Sequence, residues 1–196
     1  MEGKTHLIVG SACGIVLAVS MPVSLPEQGI IVAGSVLGSL LCDIDNYNSK
    51  ISRKFCITAA LVCTCQRIIR FMTILLPRKQ KRYVRSLIGH RGIMHSITAI
   101  VGLPCLLFFL LHYTKYEMHA KAGAIGLGLG LFTHVLLDMF SNGCPIFLPI
   151  SARRVTPGRI KTGGFTEKVF RAVFIIMAII IPIGKYLYER LISVSI

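Results

Sequence analysis

The chain has 196 residues, 54% of them hydrophobic and only 15% charged, with a mean hydropathy of +0.70 and a formal net charge of +14. That is too apolar for an ordinary soluble domain, and the apolar residues come in long runs, so a polytopic membrane protein is the expected class. The positive charge is better explained by the positive-inside rule than by nucleic acid, for which no binding module and no basic stretch interleaved with aromatics is present.

The first apolar run is His6 to Met21, with no basic leader and no small-residue cleavage pattern that would mark a signal peptide. Pro22, Pro26, Glu27 and Gln28 read as a turn, and the second run, Gly29 to Leu41, leads directly into Cys42-Asp43-Ile44-Asp45. At about 1.5 Å per residue that run reaches about 20 Å, short of a hydrocarbon core of about 30 Å. Residues 46–54 are polar and basic, and Phe55 to Leu76 is interrupted by Gln66, Arg67 and Arg70. Arginine is costly at the bilayer centre, so this run is expected to lie at the interface as an amphipathic helix, a full span being the alternative.

Pro77 to Arg91 reads as a basic loop, Gly92 to Tyr113 as a span, and Ala120 to Phe140 as another. In the latter, Gly126 and Gly130 form a G-x-x-x-G pair that permits close helix packing in lipid. Ser141 to Arg171 reads as a second basic loop and Val173 to Tyr188 as the last span. The fold expected is therefore an all-α membrane helix bundle with four or five spanning helices and one interfacial helix, forming a single domain over residues 1–196. Seven cysteines, scattered and odd in number, read as reduced thiols.

Of the 22 lysines and arginines, 18 fall in the N-terminus and in residues 43–91 and 141–171. That asymmetry assigns these segments to the cytoplasm and favours an interfacial Phe55–Leu76, since a span there would divide the basic loops. With that topology His6, Asp43, Asp45, His90, His95, His134 and Asp138 lie at one depth, and His112 and His119 at the other. His134 and Asp138 are four apart, hence on one helix face, and they interrupt an apolar run where an ionisable residue marks a functional site. His90 and His95 are five apart, and converge if His90 sits in the loop and His95 in the first turns of the following helix, whose free N–H groups would favour an anion. Mixed His and carboxylate ligands suit zinc, manganese or iron, and seven candidates are enough for one ion or two. Arg91 is placed to neutralise a phosphate, and Asp45 to act as general base.

Thr5-His6-Leu7, Leu40-Leu41-Cys42-Asp43-Ile44-Asp45 with Ser49, Gly89-His90-Arg91-Gly92-x-x-His95-Ser96, Thr133-His134-x-x-x-Asp138, Gly143 and Leu148-Pro149 follow one another in order. In this set the chain resembles the YdjM-like family of predicted membrane-bound metal-dependent hydrolases of the bacterial inner membrane, from residue 5 to about residue 170. It departs from the usual family pattern at Cys42 (proline), Asn46 (histidine), and Met94 and Ser141 (threonine). More distantly, the order His, Asp, His, then His-x-x-x-acid is similar to zinc-dependent phospholipase C and single-strand nucleases. The resemblance implies a metal-dependent hydrolase, and the distant similarity points to phosphate esters; a site between helices at the membrane surface suits an amphiphile, so the expected substrate is a phosphoester of a membrane lipid or lipid-linked molecule. A metal transporter or membrane metal sensor built on the same ligands is the alternative.

Overall fold

The computed structural model describes residues 1–45, 56–89 and 91–194; the side chains of residues 44, 45, 56–59, 118 and 194 fall outside that description. Among the described residues there are seven α-helices and no strand. They are α1 (Gly3–Ser20), α2 (Leu25–Leu41), α3 (Cys56–Met72), α4 (Arg78–Ile88), α5 (Ile97–His112), α6 (Glu117–Ser141) and α7 (Phe165–Val194). Three stretches are long and apolar enough to cross a membrane, namely α1, His119–Ser141 of α6 and Phe165–Ser193 of α7, while α2 and α5 are shorter apolar helices.

Helix α2 starts earlier than the sequence reading has it. Ser24 and Glu27 supply the reason: the Glu27 carboxylate accepts hydrogen bonds from the Ser24 amide (2.9 Å) and hydroxyl (2.6 Å), with Pro26 inside the first turn. Pro26 and Glu27 thus open a helix rather than making a turn. With 17 residues α2 reaches about 26 Å, close to a hydrocarbon thickness. Helix α7 likewise begins eight residues before the expected span. Pro77–Arg91 is not a loop either, because residues 78–88 form α4, whose lysines, arginines and glutamine are good helix formers. Helix α3 packs on the 3-10 turn Cys42–Asp45, and α4 on the turn Ile93–His95. Phe71, Met72 and, in the following turn, Leu75 are left largely uncovered.

The bundle is built on the α2–α6 seam, with α1 and α5 on its flanks and α7 against α1. Backbones touch along that seam. A side chain at Gly130 would collide with the Ser35 carbonyl and Ser39 amide, and one at Gly38 with the main chain at Leu127 and Leu131. The small-residue pair foreseen on α6 therefore meets a second one, Gly34 and Gly38, on α2. Two apolar clusters line the seam. Cys42, Leu131, Val135 and Cys144 form one beneath the residues described next, and Ala18, Ile31 and Ala122 form the other toward the opposite end.

Candidate metal centre

The start of α1, the end of α2, the turn before α5, the end of α6 and the start of α7 meet at one end of the bundle, and each contributes a polar side chain. His6 comes from the first turns of α1, Asp43 from the turn after α2, and His134 and Asp138 from successive turns of α6. His95 is in the Ile93–His95 3-10 turn, outside α5 rather than in its first turns as expected. The expected anion site at the start of α5 is also largely filled from within. The Ile97 amide donates to the Ile146 carbonyl (2.9 Å), and those of Ala99 and Ile100 donate to Ser96 (both 3.1 Å).

His6, His95, His134 and Asp138 are all buried, the most accessible being only 3% exposed. Asp138 stands at the centre. Its Oδ1 is 3.3 Å from His6 Nε2, and its Oδ2 is 3.4 Å from His95 Nε2 and 3.8 Å from His134 Nε2. The His6 and His134 rings stack at 4.0 Å between centroids, and His95 meets His134 edge-on at 5.2 Å. Asp43 Oδ1 approaches His134 Nε2 to 3.8 Å. His134 Nδ1 lies 2.6 Å from the Ser39 carbonyl oxygen. A carbonyl can only accept, so Nδ1 carries the proton and Nε2 presents a lone pair to the cluster. His134 Nε2 and His6 Nδ1 are buried and make no hydrogen bond among the described residues. Leaving such an atom unsatisfied costs about 1–3 kcal/mol, so the arrangement is one that a cation would complete.

Two overlapping ligand groups fit an ion: His6, His134 and Asp138, and Asp43, His95 and His134, each with its ligand atoms within 4.8 Å of one another. They share His134, and with Nδ1 tied to Ser39 that ring has one nitrogen to give. Through His134 Nε2 only one of the two groups can be filled at a time. His90 lies outside the described residues, as does the side chain of Asp45, whose backbone closes the 3-10 turn.

Arg91 holds a left-handed backbone, φ 59°, a strained conformation for a residue other than glycine and one that clusters at functional sites. That bend turns its guanidinium onto Asp138, Nε 2.8 Å from Oδ2 and Nη2 2.9 Å from Oδ1, a two-pronged contact, with Nη2 also 3.3 Å from Ser141 Oγ. Cys144, on the other side of Asp138 from the histidines' main cluster in sequence, is buried, and burial together with the Asp138 charge pushes its thiol up to about 12. It packs in the apolar cluster with Cys42, Leu131 and Val135.

Sequence reasoning overlooked the anchor of α1. The fully buried Glu167, at the start of α7, accepts hydrogen bonds from the Thr5 hydroxyl (2.5 Å), the Glu2 amide (2.8 Å) and the Gly163 amide (2.7 Å). This ties the first turn of α1 down and fixes where His6 enters. A signal was available in the scarcity of acids: the chain has eight, and one standing at the head of an apolar run is a functional residue by default.

The sequence profile of the YdjM inner membrane protein family matches residues 1–193. The chain belongs to that family. Among curated proteins it is similar to the uncharacterized protein YvsG of Bacillus subtilis (strain 168), at 28% identity over 173 residues, 88% of each chain. No solved structure matches. The buried His/Asp cluster able to hold a metal thus lies in an inner membrane protein family, as the ordered motifs imply.

Proposed function

We propose that this YdjM family member is a metal-dependent hydrolase that cleaves a phosphoester of a lipid or lipid-linked substrate at the cytoplasmic face of the membrane. One observation carries the reading: buried His134 aims its unpartnered Nε2 between the Asp138 and Asp43 carboxylates, with His6 Nε2 on Asp138 from the other side. His6, His134 and Asp138, with His95 and Asp43 beside them, would hold one divalent transition ion, zinc by the donor set, or manganese or iron. Such an ion supplies Lewis acidity toward a phosphoryl oxygen and lowers the pKa of water.

The chain's own groups divide the remaining work. Ser39 fixes the His134 tautomer, Glu167 sets the depth of His6, and Arg91 balances Asp138 while reaching toward the surface. A site assembled where helix ends meet the headgroup layer suits an amphiphile. The distribution of lysine and arginine supports the cytoplasmic side, because the segments holding 18 of 22 adjoin this end.

The test is metal content per protein after purification without chelator, alongside release of phosphate from phosphatidic acid vesicles and from p-nitrophenyl phosphate. His134→Ala should lose metal and turnover together. Wild type without stoichiometric metal after reconstitution, or His134→Ala retaining it in full, would overturn the reading. Metal flux into sealed vesicles without turnover would favour transport instead. Single cysteines at Lys79 and Arg159 in a cysteine-free background should resist impermeant labelling of intact cells, and labelling of either from outside reverses the orientation.

A further inference from the structure

Beside the cluster opens a cleft of about 540 Å³, lined by Arg91, Asn142, Arg154, Thr156 and Arg159. Its volume is that of a small-ligand site, and among the described residues its lining includes three guanidiniums and no carboxylate. Arg91 is common to both places, forked on Asp138 and forming part of the cleft wall. Its charge is offset in part, the Asp138 carboxylate being shared with the Met1 amine at 3.5 Å. Arg154 and Arg159, both exposed, form no ion pair with a carboxylate among the described residues, so two positive charges face the cleft offset only by solvent.

The backbone beneath them is pinned. Cys144 and Val155 exchange both hydrogen bonds (3.2 and 2.9 Å), and the Ile160 amide donates to Phe140 at the end of α6 (2.7 Å). A topogenic role would be served by an arginine anywhere in this segment, and the neighbouring Arg153 does not line the cleft. The convergence of Arg154 and Arg159 with Arg91 on one cleft suits an anion. Asn142 and Thr156 add neutral donors.

We infer that this cleft seats the phosphate of the substrate, held by Arg154 and Arg159, and that the substrate is a phosphomonoester or diphosphate rather than a phosphodiester. Two unoffset guanidiniums match a terminal phosphate bearing between one and two negative charges near neutral pH better than a diester bearing one. This rests on the hydrolase reading and narrows its substrate class. Binding can be measured without turnover and without metal, so the two stand or fall separately.

The experiment is calorimetry on the purified full-length chain in neutral detergent, with chelator present and with metal content determined on a parallel sample. Pyrophosphate should bind about tenfold or more tightly than dimethyl phosphate, and Arg154→Gln with Arg159→Gln should weaken it by about tenfold or more. Arg153→Gln should leave affinity within about twofold, as a screened surface charge does. If the glutamine pair fails to purify, Arg154→Lys with Arg159→Lys keeps the charge but loses the fork, and should still weaken binding several-fold. Equal affinity for pyrophosphate and dimethyl phosphate, or a double variant that binds like wild type, overturns the inference. Nanodiscs distinguish the sources. Competition by phosphatidic acid but not phosphatidylcholine identifies a lipid headgroup, and pyrophosphate binding untouched by either identifies a water-soluble phosphate.

Discussion

The two ends of the bundle carry similar side chains in different surroundings. At one end His6, His95, His134 and Arg91 are withdrawn from solvent and packed within 4 Å of one carboxylate, that of Asp138. At the other, His112 meets Glu117 at 3.2 Å and Lys185 meets Glu189 at 3.7 Å, with every partner more than a third exposed. Buried charges must be paired and hydrogen-bonded to persist, whereas exposed pairs are worth about 0–1 kcal/mol. Residue type alone does not separate the two ends. What separates them is the number of helices that supply a ligand to the same point and the closeness with which those helices approach.

The largest effect expected from breaking that contrast lies in the seam. Gly130→Leu places a side chain into the main chain of α2 and should prevent assembly, read as loss of monodisperse protein on gel filtration, while Gly184→Leu, with nothing within 4 Å, should purify like wild type. Next comes the buried ion pair. Asp138→Asn strands the Arg91 charge and should cost about 3–5 kcal/mol in thermal or denaturant unfolding, and Glu189→Gln at the far end about 0–1 kcal/mol. Adding Arg91→Gln to Asp138→Asn should restore part of the loss, and full additivity of the two changes would mean that the pair is not coupled. Glu167→Gln should cost about 1–3 kcal/mol through its three accepted hydrogen bonds. His112→Ala should be the smallest, within about 0.5 kcal/mol, with metal content unchanged. A metal loss in His112→Ala would erase the distinction between the ends.

Much of this was readable from residue order. The apolar runs locate six of the helices, and His134 and Asp138 announce themselves by spacing within such a run. Convergence of His6, Asp43 and His95 on them followed from topology deduced by counting basic residues. Helix starts were less legible, because Pro26 and Glu27 serve a helix opening as readily as a turn, and α4 was masked by its charge. Gly34 and Gly38 carry the same G-x-x-x-G spacing as Gly126 and Gly130 and were legible, though only the second pair was read. The Ser39 carbonyl had no side-chain signature, being a backbone atom that any residue would provide. Arg154 and Arg159 were accounted for as topogenic, and only the folding of residues 144–160 over the end of α6 turns them toward Arg91.

That Ser39 carbonyl bears on how relatives should be compared. The partner that orients His134 is written in no side chain, so aligned sequences can vary at this position while the proton on Nδ1 stays where it is. What the position demands is bulk, not chemistry. A Cβ on Gly10 of α1 would run into the Ser39 side chain, and Gly130 of α6 approaches the Ser39 amide. Alanine or glycine at 39 would serve the imidazole as well as serine, whereas a large residue would move the oxygen away from the ring. Across the family, the trace of this hydrogen bond should be a ceiling on side-chain volume, invisible to any search for shared polar residues.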